Sequence, residues 1–198
     1  MSKLPETILL HAQSLSEGGV LSAKEFLYSG SRAAVHQALS RLSREGRLLR
    51  VARGIYVTPV ITRFGTRAPS ISTVVQALSK RTGETVTPNG ASAANALGLT
   101  RQVPIREVYL TSGASRKLRL GRSEVVINHA PRWMLSLEGP AGAAVRALAW
   151  MGPTHVMESL ATLRRTLTPS EWQKLTGARA ALPSWLAQAI GEELVRGR

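Results

Sequence analysis

Six side chains at helical spacing, Ala33, His36, Gln37, Ser40, Arg41 and Arg44, make one stripe of the segment SGSRAAVHQALSRLSREGRL. None of them is acidic. Arg can grip a phosphate or a guanine with two hydrogen bonds, and Gln and Ser can bond base edges or phosphate oxygens. On the opposite side Val35, Ala38, Leu39 and Leu42 fall at i, i+3, i+4 and i+7, the pattern of a buried face. A helix that is polar only for solubility usually mixes Glu with its Lys and Arg, because ion pairs one turn apart support it. For any single residue a solvated basic face is the plainer alternative, so the case rests on what surrounds the stripe.

Residues 3–16 read as a first helix. Ser22 with Glu25 three places on is a capping-box pattern opening a short second helix, AKEFLY, that ends at Gly30. Ser31 can cap a third helix running to about Glu45, stopped by Gly46. Two β-type runs, Leu48–Val51 and Ile55–Thr58, follow across ARG, with Gly54 where a tight hairpin needs its permissive residue. Helix, Gly turn, short helix, third helix and hairpin predict a winged helix-turn-helix, whose last helix enters the major groove N-terminal end first. That places Ser31, Arg32, Ala33, His36 and Gln37 toward bases or the nearest phosphates, with Ser40 on the same stripe. Arg41 and Arg44 lie further along and would hold the backbone. Arg53 at the hairpin tip would reach a phosphate or the minor groove, and Arg50 sits on the strand.

Beyond this lies TPVITRFGTRAPS, which reads as a linker or wrapped connection, and then a change of pattern. ISTVVQALSKRTG reads as a helix, ETVTP as a short strand and NGASAANALGL as an Ala-rich helix. Three strands, EVYLTSG, SRKLRLG and SEVVINHA, form a meander, and helices are expected at 140–151, 154–167, 169–176 and 184–196. The fold class expected is α+β. A winged helix-turn-helix (1–60) and a linker (61–70) precede a mixed α/β C-terminal domain (71–198) with a small antiparallel sheet and a helical C-terminal end.

The charge fits a polyanion partner. Twenty-six basic against twelve acidic residues give +14 over 198 residues, with 21 Arg to five Lys, although Arg richness also follows from coding bias. All twelve acids are Glu. With no Asp, chemistries built on an Asp nucleophile, an Asp triad or an Asp-held Mg²⁺ are excluded. With no Cys there is no disulfide or thiolate metal site. The four His are far apart, and no Walker A, GxSxG or dinucleotide fingerprint occurs, so neither an enzyme nor a metal or other cofactor is expected. The start, MSKLPETILL, is not a signal peptide, and no run is apolar enough for a membrane span. A cytoplasmic protein is expected.

Three segments in order, RGIY, GASAANALGL and YLTSG followed by SR, set on GSRAAVHQALSRLSREGRLLRVARGIYVTP, carry a resemblance. Over most of residues 20–135 the chain resembles the AbiEi-like antitoxins of type IV toxin–antitoxin systems. The resemblance implies a winged helix that binds inverted repeats in its own promoter and represses transcription. It further implies a C-terminal domain that counters a co-transcribed nucleotidyltransferase-like toxin, with or without touching it. Inverted repeats imply two copies on DNA, which are monomers or weak dimers in solution.

In the second domain, TSGASRK could cradle a phosphate with turn amides and cations or be an ordinary strand connection. NGASAANALGL reads as scaffold. Arg101, Arg106, Arg116, Lys117, Arg119 and Arg122 form either one basic antitoxin surface or a scattered set. The competing functional class is a winged-helix regulator with an unrelated sensor domain and no toxin partner. A nuclease-like enzyme is disfavoured by the missing Asp.

Overall fold

A computed structural model describes residues 3–121 and 123–196. It is a mixed α+β fold with small antiparallel sheets and a helical C-terminal end. Its contacts gather into two compact units that cut the chain differently from the expected linker at 61–70. The first comprises the residues up to Val86 together with Arg116–Ile127. The second comprises Thr87–Ser115 and the chain from Asn128 onward.

In the first unit, α1 (Lys3–Ser14) buries Leu4, Ile8 and Ala12, one residue per turn. Strand β1 (Val20–Ser22) leads into a single 3-10 turn, Ala23–Phe26, where the sequence had suggested a longer helix AKEFLY. The Glu25 carboxylate does accept from the Ser22 N–H at 2.6 Å. Phe26 is buried, but Leu27 and Tyr28 are 46% and 80% exposed, so no apolar face continues past Phe26 to pull another turn into the core. Helix α2 (Arg32–Arg44) buries Val35, Ala38, Leu39 and Leu42. Strands β2 (Leu49–Ala52) and β3 (Ile55–Val57) complete an antiparallel sheet in the order β1-β3-β2, with Tyr56 opposite both Leu21 and Arg50. The register slips between Arg50 and Ala52, which turns the strand locally before the hairpin tip.

The segment expected as a linker instead holds a second hairpin, β4 (Val60–Thr62) and β5 (Gly65–Arg67), with Ile61 opposite Thr66. The Thr62 hydroxyl closes its turn, donating to the Gly65 carbonyl at 2.8 Å and accepting from the Phe64 N–H. Helix α3 (Ile71–Thr82) is capped by Ser70, buries Val74, Val75 and Leu78, and ends at Gly83 in the left-handed conformation. The hairpin of β8 (Arg116–Leu120) and β9 (Ser123–His129) returns to this unit, pairing Leu118 with Val125, and β8 lies beside β2.

In the second unit, α4 (Gly90–Ala96) is capped by Asn89, whose side chain accepts from the Ser92 N–H. A short strand β6 (Val86–Pro88), whose first residue still belongs to the first unit, precedes it, and β7 (Val108–Thr111) follows. After α5 (Arg132–Leu135) comes the long segment α6 (Gly139–Thr166), which breaks at Gly152 (φ 74°, ψ 176°). Pro153 then opens its second half, as the two expected helices require. α7 (Pro169–Gly177) and α8 (Ser184–Arg196) pack on α6 around Leu148, Leu160, Leu163, Leu175, Leu186 and Ile190. α4 sits close on α6. A methyl on Gly90 would lie 2.4 Å from the Arg146 carbonyl oxygen, and Ala93, Ala94 and Ala147 make up the rest of that seam. No helix among the described residues is long and apolar enough to cross a membrane.

Candidate nucleic-acid interface

Helix α2 is fixed at its start by Ser31, whose hydroxyl accepts from the Ala34 N–H at 3.2 Å. Its buried stripe is anchored by Leu39 and Leu42 in the core of the first unit. Burial of that stripe dictates what faces out. Ser31, Arg32, Ala33, His36, Gln37, Ser40, Arg41 and Arg44 are all exposed, as are Arg50 and Arg53. The first turn of α2 contains no acid. The first nearby carboxylate, Glu45 at the C-terminal cap, meets Arg41 at 3.5 Å, so that one cation is shared with the protein itself.

The exposed residues divide between two concavities. A cleft of about 780 Å³ opens between α2 and the β2–β3 hairpin, and Arg32, His36 and Ser40 line one side of it while Arg50 and Arg53 line the other. Gly54, at φ 74°, makes the tight turn that brings Arg53 to the tip. Buried Tyr56 contributes to the same lining. Gln37, Arg41 and Arg44 instead face a smaller hollow beside Leu4 and Pro5 of α1.

Sequence reasoning missed Lys24. It stands exposed on the 3-10 turn and lines the larger cleft. The available signal was its place on the element just before α2, which in helix-turn-helix geometry crosses the phosphate backbone.

That turn is held by a polar cluster. Glu25 accepts from Ser22 and meets His11 Nε2 of α1 at 3.1 Å, and it pairs with Arg81 of α3. Arg81 also donates to the Val20 carbonyl and the Ser22 hydroxyl, each at 2.7 Å. Burial raises the Glu25 pKa, but the Arg81 and Ser22 hydrogen bonds and the Arg81 charge outweigh it and hold the carboxyl below its ordinary value. Arg81 was expected in a separate C-terminal domain. It belongs instead to the unit that carries α2.

The later cations are divided between the two units. Arg116, Lys117 and Arg119 come together on β8 of the first unit, where Arg116 pairs with Glu84 and is largely buried. Lys117 meets Glu124 at 3.1 Å and Arg119 meets it at 3.5 Å, and the Lys117 hydrogen bond and charge lower the Glu124 carboxyl. Arg101 and Arg106 stand exposed on a loop of the second unit. Arg122 lies outside the described residues.

Two of the groups of TSGASRK that could have met a phosphate, the Gly113 N–H and the Ser115 hydroxyl, are engaged internally. The Gly113 N–H donates to Thr111, the Ser115 hydroxyl accepts from the His129 N–H at 2.8 Å, and the His129 ring bonds the Gly113 carbonyl at 2.9 Å. His129 latches a strand connection.

Among curated proteins none matches the chain. Its fold is similar to the crystal structure of the RV2827C protein from Mycobacterium tuberculosis, with a TM-score of 0.54 and 16% identity. That alignment covers 98% of this chain and 77% of the other. The match extends the likeness of fold across both units. A family model, the family of unknown function DUF6088, matches residues 7–171, and the chain belongs to that family.

Proposed function

We propose that the chain is an AbiEi-like antitoxin of a type IV system, which represses its own operon and counters a nucleotidyltransferase-like toxin. α1, the 3-10 turn and α2 take the helix-turn-helix roles, with α2 as recognition helix and the β2–β3 hairpin as wing. The observation that carries this reading is the cleft between α2 and the hairpin. Four cations line it, Lys24, Arg32, Arg50 and Arg53, together with His36 and Ser40, and among the described residues no carboxylate does. Such a concavity offers phosphates charge-assisted hydrogen bonds from both sides while the start of α2 meets base edges. The antitoxin half rests on the ordered segments RGIY, GASAANALGL and YLTSG with SR, which resemble that family.

Two copies on inverted repeats would place their α2 helices about one helical turn apart, or a multiple of that. The test is DNase I footprinting on the chain's own promoter. Wild-type protein should protect an inverted repeat, and the double variant Arg32→Ala/Arg53→Ala should not, while its melting temperature stays within a degree or so, since both side chains are exposed. Protection retained by that variant refutes the placement. Co-expression with the neighbouring toxin gene, scored as growth, tests the other half.

A further inference from the structure

The β4–β5 hairpin is fastened at its base and bare at its tip. At the base the Thr58 hydroxyl donates to the Ala12 carbonyl at 3.1 Å, and Arg67 pairs with Glu17 at 3.1 Å. At the tip the Thr62 hydroxyl bridges the Phe64 N–H and the Gly65 carbonyl. The turn puts its positive φ, 114°, on Gly65, so nothing in the backbone calls for Arg and Phe at its two central positions. Phe64 stands 86% exposed, and the Arg63 guanidinium lies over one face of its ring, 4.6 Å from the centroid. At that exposure the other face meets water. Among the described residues Arg63 makes no ion pair. No acidic residue occurs between Glu45 and Glu84, a span that contains the wing, this hairpin and seven cations.

We propose that the Arg63–Phe64 tip is a stacking platform for an unpaired base of a single-stranded nucleic acid. The open face of the ring takes the base, and the guanidinium behind it keeps its N–H edge for the adjoining phosphate.

Three observations choose this occupant. The cation over the ring and the acid-free span around it suit a polyanion that also offers a flat π surface. Paired bases inside a duplex are stacked on both faces and would have to be pried apart to meet the ring, whereas an unpaired base is available at once. A second copy of a chain with net charge +14 would bring like charges together. The clamped turn and the anchored base hold the ring in place beforehand, so little conformational freedom is lost on binding. The platform is distinct from the α2 cleft, since β3 leads away from the wing tip at Arg53 before β4 begins, and it goes beyond the promoter reading.

The test is fluorescence anisotropy of the full chain with labelled oligothymidylate and oligouridylate of about 12 nucleotides, in roughly 150 mM KCl. Phe64→Ala should weaken binding by about fivefold or more on one strand or both. Phe64→Leu should do the same, because it keeps apolar area but has no π face. Promoter-duplex affinity and melting temperature should stay at wild-type values in both variants. Phe64→Trp should keep the affinity. The emission it gains over wild type, whose four native Trp all lie in the second unit, should be quenched when the strand binds. Absence of single-strand binding, or equal binding by wild type and Phe64→Ala, overturns the proposal. So does full affinity in Phe64→Leu, which assigns the tip to apolar docking on a protein, or self-association in sedimentation that Phe64→Ala abolishes while strand binding is unchanged. Loss of promoter-duplex binding in step with single-strand binding merges the tip with the α2 cleft and overturns it too. A chain that binds single strands through Phe64 yet protects no promoter leaves the platform standing and removes the autorepressor reading.

Discussion

Arg53→Ala is the most informative single change, because its effect on salt dependence can be worked from the cleft. Lys24, Arg32, Arg50 and Arg53 line it. If each neutralises one phosphate, the slope of log affinity against log salt is about −0.9 per contact, or about −3.6 for the set. Raising salt fourfold, from roughly 50 to roughly 200 mM, should then weaken binding by about 150-fold. With Arg53 removed the slope should relax to about −2.7, and the same change in salt should cost about 40-fold. Any phosphate contacts by Arg41 and Arg44 would steepen both lines equally and leave their difference intact. The measurement is fluorescence anisotropy on a labelled promoter duplex across a KCl series. Arg53→Ala should also leave the fold untouched, since the side chain is exposed at a hairpin tip. A wild-type slope shallower than about −1, or parallel lines for wild type and Arg53→Ala, refutes the assignment of the cleft to the phosphate backbone.

Three further expectations concern the scaffold. Glu25 has a carboxyl pKa below its ordinary value, so its pairing stabilises the fold above that value and the contribution disappears as pH falls through the lowered one. Urea midpoints for wild type should therefore drop more steeply below about pH 5 than those of Glu25→Gln, and superimposable curves would discount the Arg81 pairing. Gly→Ala in a helix ordinarily stabilises, but at Gly90 the new methyl would meet the Arg146 carbonyl, so stability should fall by about 1–3 kcal/mol, read as a lower melting temperature. A more stable variant would mean that α4 can shift on α6 at no cost. Arg146 is buried; among the described residues its Nε has no partner and its guanidinium makes one 3.4 Å bond, to the Met134 carbonyl, and burial lowers its pKa. Arg146→Met should keep or raise the melting temperature, because it gives up only that long bond while relieving a buried charge, and a marked loss would point to an interaction of the guanidinium beyond that bond.

The exposed side of α2 was legible in the sequence because the apolar residues at 35, 38, 39 and 42 leave only one way to orient the helix. Ser31 marked the start of α2 for a local reason, its hydroxyl accepting from a backbone N–H of the first turn, and in the structure Ser70 and Thr168 cap α3 and α7 in the same way. What the sequence could not supply was decided by distant contacts. TRFGTR looked like a linker because two short strands flanked by prolines bury too little to give a period-two signal, and Ile61 is in fact 85% exposed. Lys24 became visible only when the 3-10 turn set it beside the cleft. The return of β8 and β9 to the first unit depends on Leu118, Val125 and Ile127 finding a core laid down by residues far earlier in the chain. No local pattern encodes that meeting. The assignment of Arg101 and Arg106 to a different unit from the β8 cations follows from it.

The same return governs how deletion experiments on this protein should be designed. Trimming inward from the C-terminus removes the β8–β9 hairpin long before it reaches α2, and a cut after residue 60 also strips away Arg81, which fastens the 3-10 turn. A shortened chain that no longer grips its promoter would then invite the conclusion that the distal half reads DNA, when all it had lost was a brace. A splice joining Val86 to Arg116 and ending after Ile127 keeps that brace, and is the fragment on which promoter recognition should first be sought in isolation.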